Sequence, residues 1–324
     1  MKEIERFVIP LPPHERVIAL EWRENYLRDI AGRRIYGLDG KYQELKYAFG
    51  NRFDQLISSK NGLYSIIFER LGTKGLILKE DFSILREINR SYYCSEVYEY
   101  PAAIFDLPDG RTVIAHCPDE YCRLEIEEID SGERLTPRTS KPIDFFHSRL
   151  QASPDGKRLF SAGWIWHPLD WIQIYDTTCI LESPELLDAS SEHSFGSEFF
   201  EIHSAAFKGA NQLVISGWDE DESKKAVGLY DLQTNQTLAV SFVDELVGEM
   251  MPVGDFIVAF YEYPKLIDLK SGQVVCRWND LKSGQQNSSI IHHVQSLPAI
   301  ALDPSNLRFA VAGSDSITVI QLGK

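Results

Sequence analysis

Residues able to hold a metal ion or run a reaction are scattered through this chain, and their spacing decides what each can do. His116, Cys117 and Cys122 are the densest group of zinc-type ligands, and the four residues between the two cysteines fit the spacing of a structural site. A fourth ligand is not evident in the sequence, and in a strand over 112–117 His116 and Cys117 point to opposite faces. The same alternation separates His292 from His293, while His193 and His203 sit in or beside a long connection over 183–199 that could bend them inward. The acid run Asp219-Glu220-Asp221-Glu222 offers oxygens to a hard cation but lacks the pattern of a calcium loop, and reads as a solvated hairpin tip. No GxSxG, HExxH, GxxxxGK or dinucleotide glycine pattern occurs. The sequence therefore predicts no cofactor, metal site or linear catalytic motif. An enzyme, metal-assisted hydrolases included, would have to gather its acids, amides and histidines from distant segments.

Aromatic groups beside carboxylates offer a different chemistry, that of a binding surface. Four short segments combine them: Asp119-Glu120-Tyr121, the run from Trp164 through Trp166 to Trp171, Trp218-Asp219-Glu220-Asp221-Glu222, and Tyr261-Glu262-Tyr263. Aromatics supply desolvated contact area, and acids steer a basic partner.

The elements that must carry these segments emerge when turns are aligned. A first turn ends at Gly62, Gly110, Gly156 and Asn211, contains Gly254, and ends again at Asn306, at intervals of 48, 46, 55, 43 and 52 residues. A second turn follows an apolar strand and carries Asp39, Asp81, Asp130, Asp176, Asp231 or Asp268, whose side chains can accept from the backbone two residues on. From Gly110, Gly156 and Asn211 the distance to that Asp is 20 residues each time. Between the turns lie short apolar runs such as TVIA, FIVA and RFAVA, each followed by a partner strand. A period near 46 residues built of short strands is the mark of propeller blades, which cannot bury their faces without neighbours.

Seven units result. The first, over 14–52, is the weakest, with a poorly matching turn at Arg23-Glu24-Asn25, and the last has room for only three strands. A strand over 4–9 is the expected fourth, closing the ring and removing an open edge. The segments SPDGKRLFSAGW with WIQIYDTT, and LDPSNLRFAVAGSD with SITVIQL, resemble blades of the WD-repeat and related seven-bladed propeller superfamily. The Gly-His pair before the first strand and the terminal Trp-Asp pair typical of that superfamily are missing, with Tyr175-Asp176 and Tyr230-Asp231 nearest to the latter. The resemblance implies an all-β, single-domain propeller over 1–324 and a scaffold that most often holds protein partners, although enzymes share the fold.

Loops joining second to third strands emerge on one face with the connections between blades, so the acidic, aromatic segments share that face. The candidate binding residues are Tyr121, Trp164, Trp166, Trp171, Trp218, Asp219, Glu220, Asp221, Tyr261 and Tyr263. A competing reading applies to Trp164 and Trp218, which fall at blade positions equivalent to Cys117 and Phe260 and would pack between blades. His167-Pro168 reads as a turn constraint.

Composition narrows the partner. With 48 acidic against 33 basic side chains, a net charge of −15 repels nucleic acid and favours a protein or peptide with a basic or mixed surface. Without a signal peptide or a long uncharged apolar run, the expectation is a cytoplasmic protein that does not enter membranes, with five reduced and mostly buried cysteines. A small-ligand sensor is a third reading beside scaffold and enzyme, and the oligomeric state is left open.

Overall fold

The computed structural model describes residues 1–191, 193–291 and 296–324. Among these, the strands form seven antiparallel sheets. The first blade contains Glu21–Arg23, Tyr26–Asp29, Arg34–Gly37 and Tyr42–Glu44, and the second Gln55–Ser58, Tyr64–Phe68, Lys74–Lys79 and Ile84–Asn89. The third contains Ala102–Asp106, Thr112–His116 and Glu125–Glu128, and the fourth Phe145–Phe146, Leu150–Ala152, Arg158–Ile165 and Leu169–Asp176. The fifth runs through Glu201–Phe207, Gln212–Trp218, Lys225–Asp231 and Gln236–Val243, and the sixth through Met250–Val253, Phe256–Ala259, Lys265–Asp268 and Val274–Arg277. The seventh has Ile300–Asp303, Arg308–Ala312 and Ser316–Gly323, and its fourth strand is the N-terminal Lys2–Pro10, antiparallel to Ser316–Gly323.

Side-chain alternation explains both the ring and the apolar runs. In the second blade Ile66 and Ile77 face the third blade, while Ile67 and Leu78 face the first. In the sixth, Ile257 and Ala259 pack on the fifth blade, and Val258 and Phe260 on the seventh. A middle strand buried on both faces must be apolar at every position. Seven such clusters, one per pair of neighbouring blades, close the circle, with Ile9 of the N-terminal strand at the seam between last and first.

The turns follow the sequence reading closely but not uniformly. Asp39, Asp81, Asp231 and Asp268 each accept from the backbone N–H two residues on. Asp176 makes the same bonds, to the amides of Thr178 and Cys179, but there they cap a short helix over Thr177–Glu182 that continues into a 3₁₀ turn over Pro184–Asp188. Helical turns thus replace the outer strand of the fourth blade. Asp130 instead accepts from the Tyr64 hydroxyl. The third blade also lacks a fourth strand, and irregular chain fills its place: Leu135 N–H donates to Ile126 O at 2.8 Å, Thr136 Oγ1 accepts from Ile126 N–H, and the Arg138 guanidinium donates to Leu124 O. In the first blade the poorly matching turn is a tight hairpin at Glu24-Asn25, between paired Arg23 and Tyr26, with Glu24 at φ 51°.

One connection does more than join blades. Between the sixth and seventh, Glu262 N–H donates to Gly284 O, the Asn287 side chain accepts from Gly248 N–H, and Arg149 donates to Asn287 O. Ser289 then bonds Asp170 and Gly163 O of the fourth blade, and Ile291 N–H donates to Val97 O before the third. Residues 284–291 therefore form a strap across the channel mouth on the loop face. His292 and His293 lie outside the described residues.

Candidate functional site

An eighth apolar cluster is not explained by blade packing. It lies on the loop face, where Tyr98, Phe146 and Trp164 are buried together with Tyr121 and Ile290 of the strap against them. Phe146 and Trp164 stack nearly parallel at 3.7 Å between ring centroids, Tyr121 stacks on Phe146 at 4.1 Å, and Tyr93 lies 5.0 Å from Tyr121. Trp166 stands perpendicular to both Phe146 and Trp164, at 5.5 and 5.0 Å.

Local chain geometry sets each ring. Ile165 pairs with Leu169, leaving Trp166-His167-Pro168 as a three-residue loop in which His167 takes φ 137°, and this lifts Trp166 out of the sheet. The Tyr121 hydroxyl donates to Asp144 at 2.7 Å. Tyr93 sits in the connection before the third blade, where Cys94 adopts φ 52°. Exposure divides the group: Trp164 is 3% exposed, whereas Trp166 is 46%, Tyr93 50% and the adjacent Tyr92 78% exposed. Such rings form a platform with a packed base and an open top. Glu96, Glu120 and Asp144 are exposed around it, and among the described residues none of the three is in an ion pair, whereas Asp119 is held by Arg134 at 2.6 Å.

The candidate residues thus divide. Tyr121, Trp164 and Trp166 come together, with Trp164 as base rather than contact surface. Trp171 turns instead to Phe195, edge-on at 5.7 Å, in the core between the fourth and fifth blades. Trp218 is half-buried edge-on against His203. Asp219 accepts from the amides of Ser223 and Lys224, shaping a hairpin whose exposed tip carries Glu220 and Asp221. Tyr261 lies 6.0 Å from the Lys265 ammonium, and Tyr263 is half-buried with its N–H donating to Tyr261 O. Of the four positions expected to pack between blades, Cys117, Trp164 and Phe260 are buried and Trp218 is not. Sequence reasoning missed Tyr92, Tyr93 and Phe146. The adjacent aromatics in SYYC and DFFH are the signal that could have found them.

Titratable groups outside the platform are mostly held in pairs or by burial. Asp170 accepts from His203 at 2.7 Å and from the Ser289 hydroxyl, so serine and histidine both bond the acid and no serine-to-histidine proton path forms. Burial opposes the charge on Asp170, but His203 outweighs it and holds the carboxyl below its usual range. Glu249 is water-accessible, and desolvation together with the Glu99 charge, against Arg149, raises its carboxyl to about 7. His116 turns to Glu127 at 3.3 Å rather than to Cys117, whose thiol burial pushes up. For Glu127 burial acts upward, yet His116 and Arg86 prevail and hold it at about 2. Among the described residues no three His, Cys, Asp or Glu side chains converge as a metal-binding group, which leaves the metal-assisted hydrolase without a ligand set there. All five thiols are free, with Cys117 and Cys122 buried, Cys94 and Cys276 partly so, and Cys179 exposed. Among the described residues no helix is long and apolar enough to cross a membrane.

Sheet order and strand-donated closure define a divergent seven-bladed β-propeller with the WD40-like fold. The chain is similar to the β-propeller domain of Cps50 (Swd1) from Myceliophteria thermophila, at 11% identity and a TM-score of 0.60 over 98% of this chain and 100% of that one. It is also similar to the C-terminal WD40 domain of Sif2, at 12% identity and a TM-score of 0.54 over 93% and 77% of the two chains. At these identities the likeness is one of fold. No protein-family model matches the sequence, and neither does any curated protein.

Proposed function

We propose that the protein is a non-catalytic interaction scaffold, docking a protein or peptide of basic or mixed surface on the face around Tyr93, Tyr121 and Trp166. The observation that carries this reading is the eighth cluster: exposed rings are held in place by a buried stack that the seven blade interfaces do not require. Rigid aromatics lose little entropy on binding, and such residues tend to be the energetic centre of an interface. Glu96, Glu120 and Asp144, in no ion pair among the described residues, supply the attraction that speeds encounter with a basic surface. Asp219, Glu220 and Asp221 on the fifth-blade hairpin act in this scheme as peripheral charge.

Proteins captured from a source-cell lysate with the native chain and with the Tyr93→Ala/Trp166→Ala double variant test the reading. A partner retained by the native chain and lost by the folded variant is the expected result. A partner held equally by both would place its site elsewhere.

A further inference from the structure

Resting on that reading, we infer that the aromatic platform takes an arginine side chain of an extended peptide, with the guanidinium against Trp166 or Tyr93 and within reach of the carboxylates of Asp144 and Glu120. Three observations converge. The open rings come from separate segments, Tyr93 from the connection before the third blade, Tyr121 from a loop of the third and Trp166 from a loop of the fourth, so a side chain entering among them meets more than one π system. Acids stand at that point. The Tyr121 hydroxyl occupies one Asp144 oxygen, at 2.7 Å, and leaves the other for a ligand, while Glu120 lies 4.0 Å from the Cys122 sulfur on the same loop. Finally, the site is short of cations: among the described residues, neither an ion pair nor a cation–π contact from Lys or Arg is made to Tyr93, Tyr121, Trp166, Glu120 or Asp144.

The protein uses this chemistry internally elsewhere. Arg308 lies 3.9 Å over Trp22 while its Nε donates to Asp303, and Arg90 lies 4.4 Å over Tyr98 while donating to Tyr98 O. Each pairs a guanidinium with a ring and an oxygen acceptor at once. The platform has the ring and the acceptor without the guanidinium. Arginine fits better than lysine because a planar, weakly hydrated fork can stack on an indole and still donate in its own plane to a carboxylate.

The probe is a Gly-Ser-Arg repeat peptide, titrated against the full chain and compared with the same peptide carrying lysine or citrulline. The arginine form should bind most tightly and weaken with salt. Citrulline, which keeps the shape and loses the charge, should bind at least about tenfold more weakly. Trp166→Ala should weaken the arginine peptide between about three- and thirtyfold, the span of a cation–π contact converted to affinity, and Asp144→Asn, which removes a charged acceptor, by at least about threefold. Equal binding of the citrulline and arginine peptides overturns the inference, as does an arginine peptide that fails to bind at millimolar concentration or ignores both substitutions. The docking reading is tested apart from this, by the captured partner and the Tyr93→Ala/Trp166→Ala variant.

Discussion

Two tryptophans two positions apart carry opposite expectations. Trp164 lies stacked on Phe146 in the base of the platform, so Trp164→Ala opens a cavity and should destabilise the fold by about 3–5 kcal/mol in thermal or denaturant unfolding. Trp166 is half exposed, so Trp166→Ala should cost within about 1 kcal/mol of stability and act on binding instead. Equal destabilisation by the two would contradict the division into base and contact surface. Groups whose pKa is shifted by the fold set the pH response with definite signs. His147, against Ser161 at 3.1 Å, is held by burial down to about 3 from an ordinary 6.5, so the unfolded chain binds the extra proton between those values. Stability is lost as pH falls from 6.5 towards 3, and Glu127, held at about 2, adds a loss from its ordinary 4.5 down to that value. Glu249 has the opposite sign: with its carboxyl raised to about 7, the folded state binds the extra proton, and stability falls as pH rises from 4.5 through 7. Glu249→Gln should therefore raise the melting temperature near pH 8 and leave it unchanged near pH 4. The effect is modest because water reaches the carboxylate. A variant no more stable at pH 8 would mean that Glu249 ionises in the folded chain without penalty.

The N-terminal strand and the strap are the two elements whose removal is most informative. Lys2–Pro10 supplies the outer strand of the last blade, buries Ile9 at the seam, and is tied down by Trp278 Nε1 donating to Glu3 at 2.5 Å. Deleting it unpairs an entire strand edge and should cost several kcal/mol with increased aggregation; unchanged thermal melting would rule out closure by this strand. The strap is fastened at Ser289, whose hydroxyl bonds Asp170 and Gly163 O. Ser289→Ala should raise amide exchange over 284–291 while the blade strands stay protected, because it removes the bond but leaves the interblade clusters intact. Blades were legible in the sequence because a tight turn and an apolar run of alternating facing are local signals, repeated. The missing fourth strand after Asp176 was not legible, since an Asp accepting from an amide two residues on makes the same bond in a turn and at a helix N-cap. The strap escaped for another reason: the bonds that carry it across to the fourth blade join residues more than a hundred positions apart, as with Ser289 and Asp170 or Arg149 and Asn287, and no periodicity marks such a crossing. Tyr121 and Trp166 were readable as loop aromatics, but their assembly with Tyr93 and Phe146 depends on which blades are neighbours.

For the whole molecule, the closed ring turns seven weak units into a rigid support, since each blade buries both faces only against its neighbours. The loop face can then vary without loss of fold, and in this chain it carries the strap and the aromatic platform side by side, with Ile290 of the strap packed on the platform's base. The net charge of −15 suits the basic partner proposed above, and with such a partner association should slow as salt is raised. Docking at the platform is tested by a hydrogen-exchange footprint of the native chain with and without its captured partner. Protection over 92–98, 119–122 and 164–168 is the predicted result. Protection confined to the opposite face, at the turns around Gly62, Gly110 and Gly156, or to the outer strands of the blades, would contradict it.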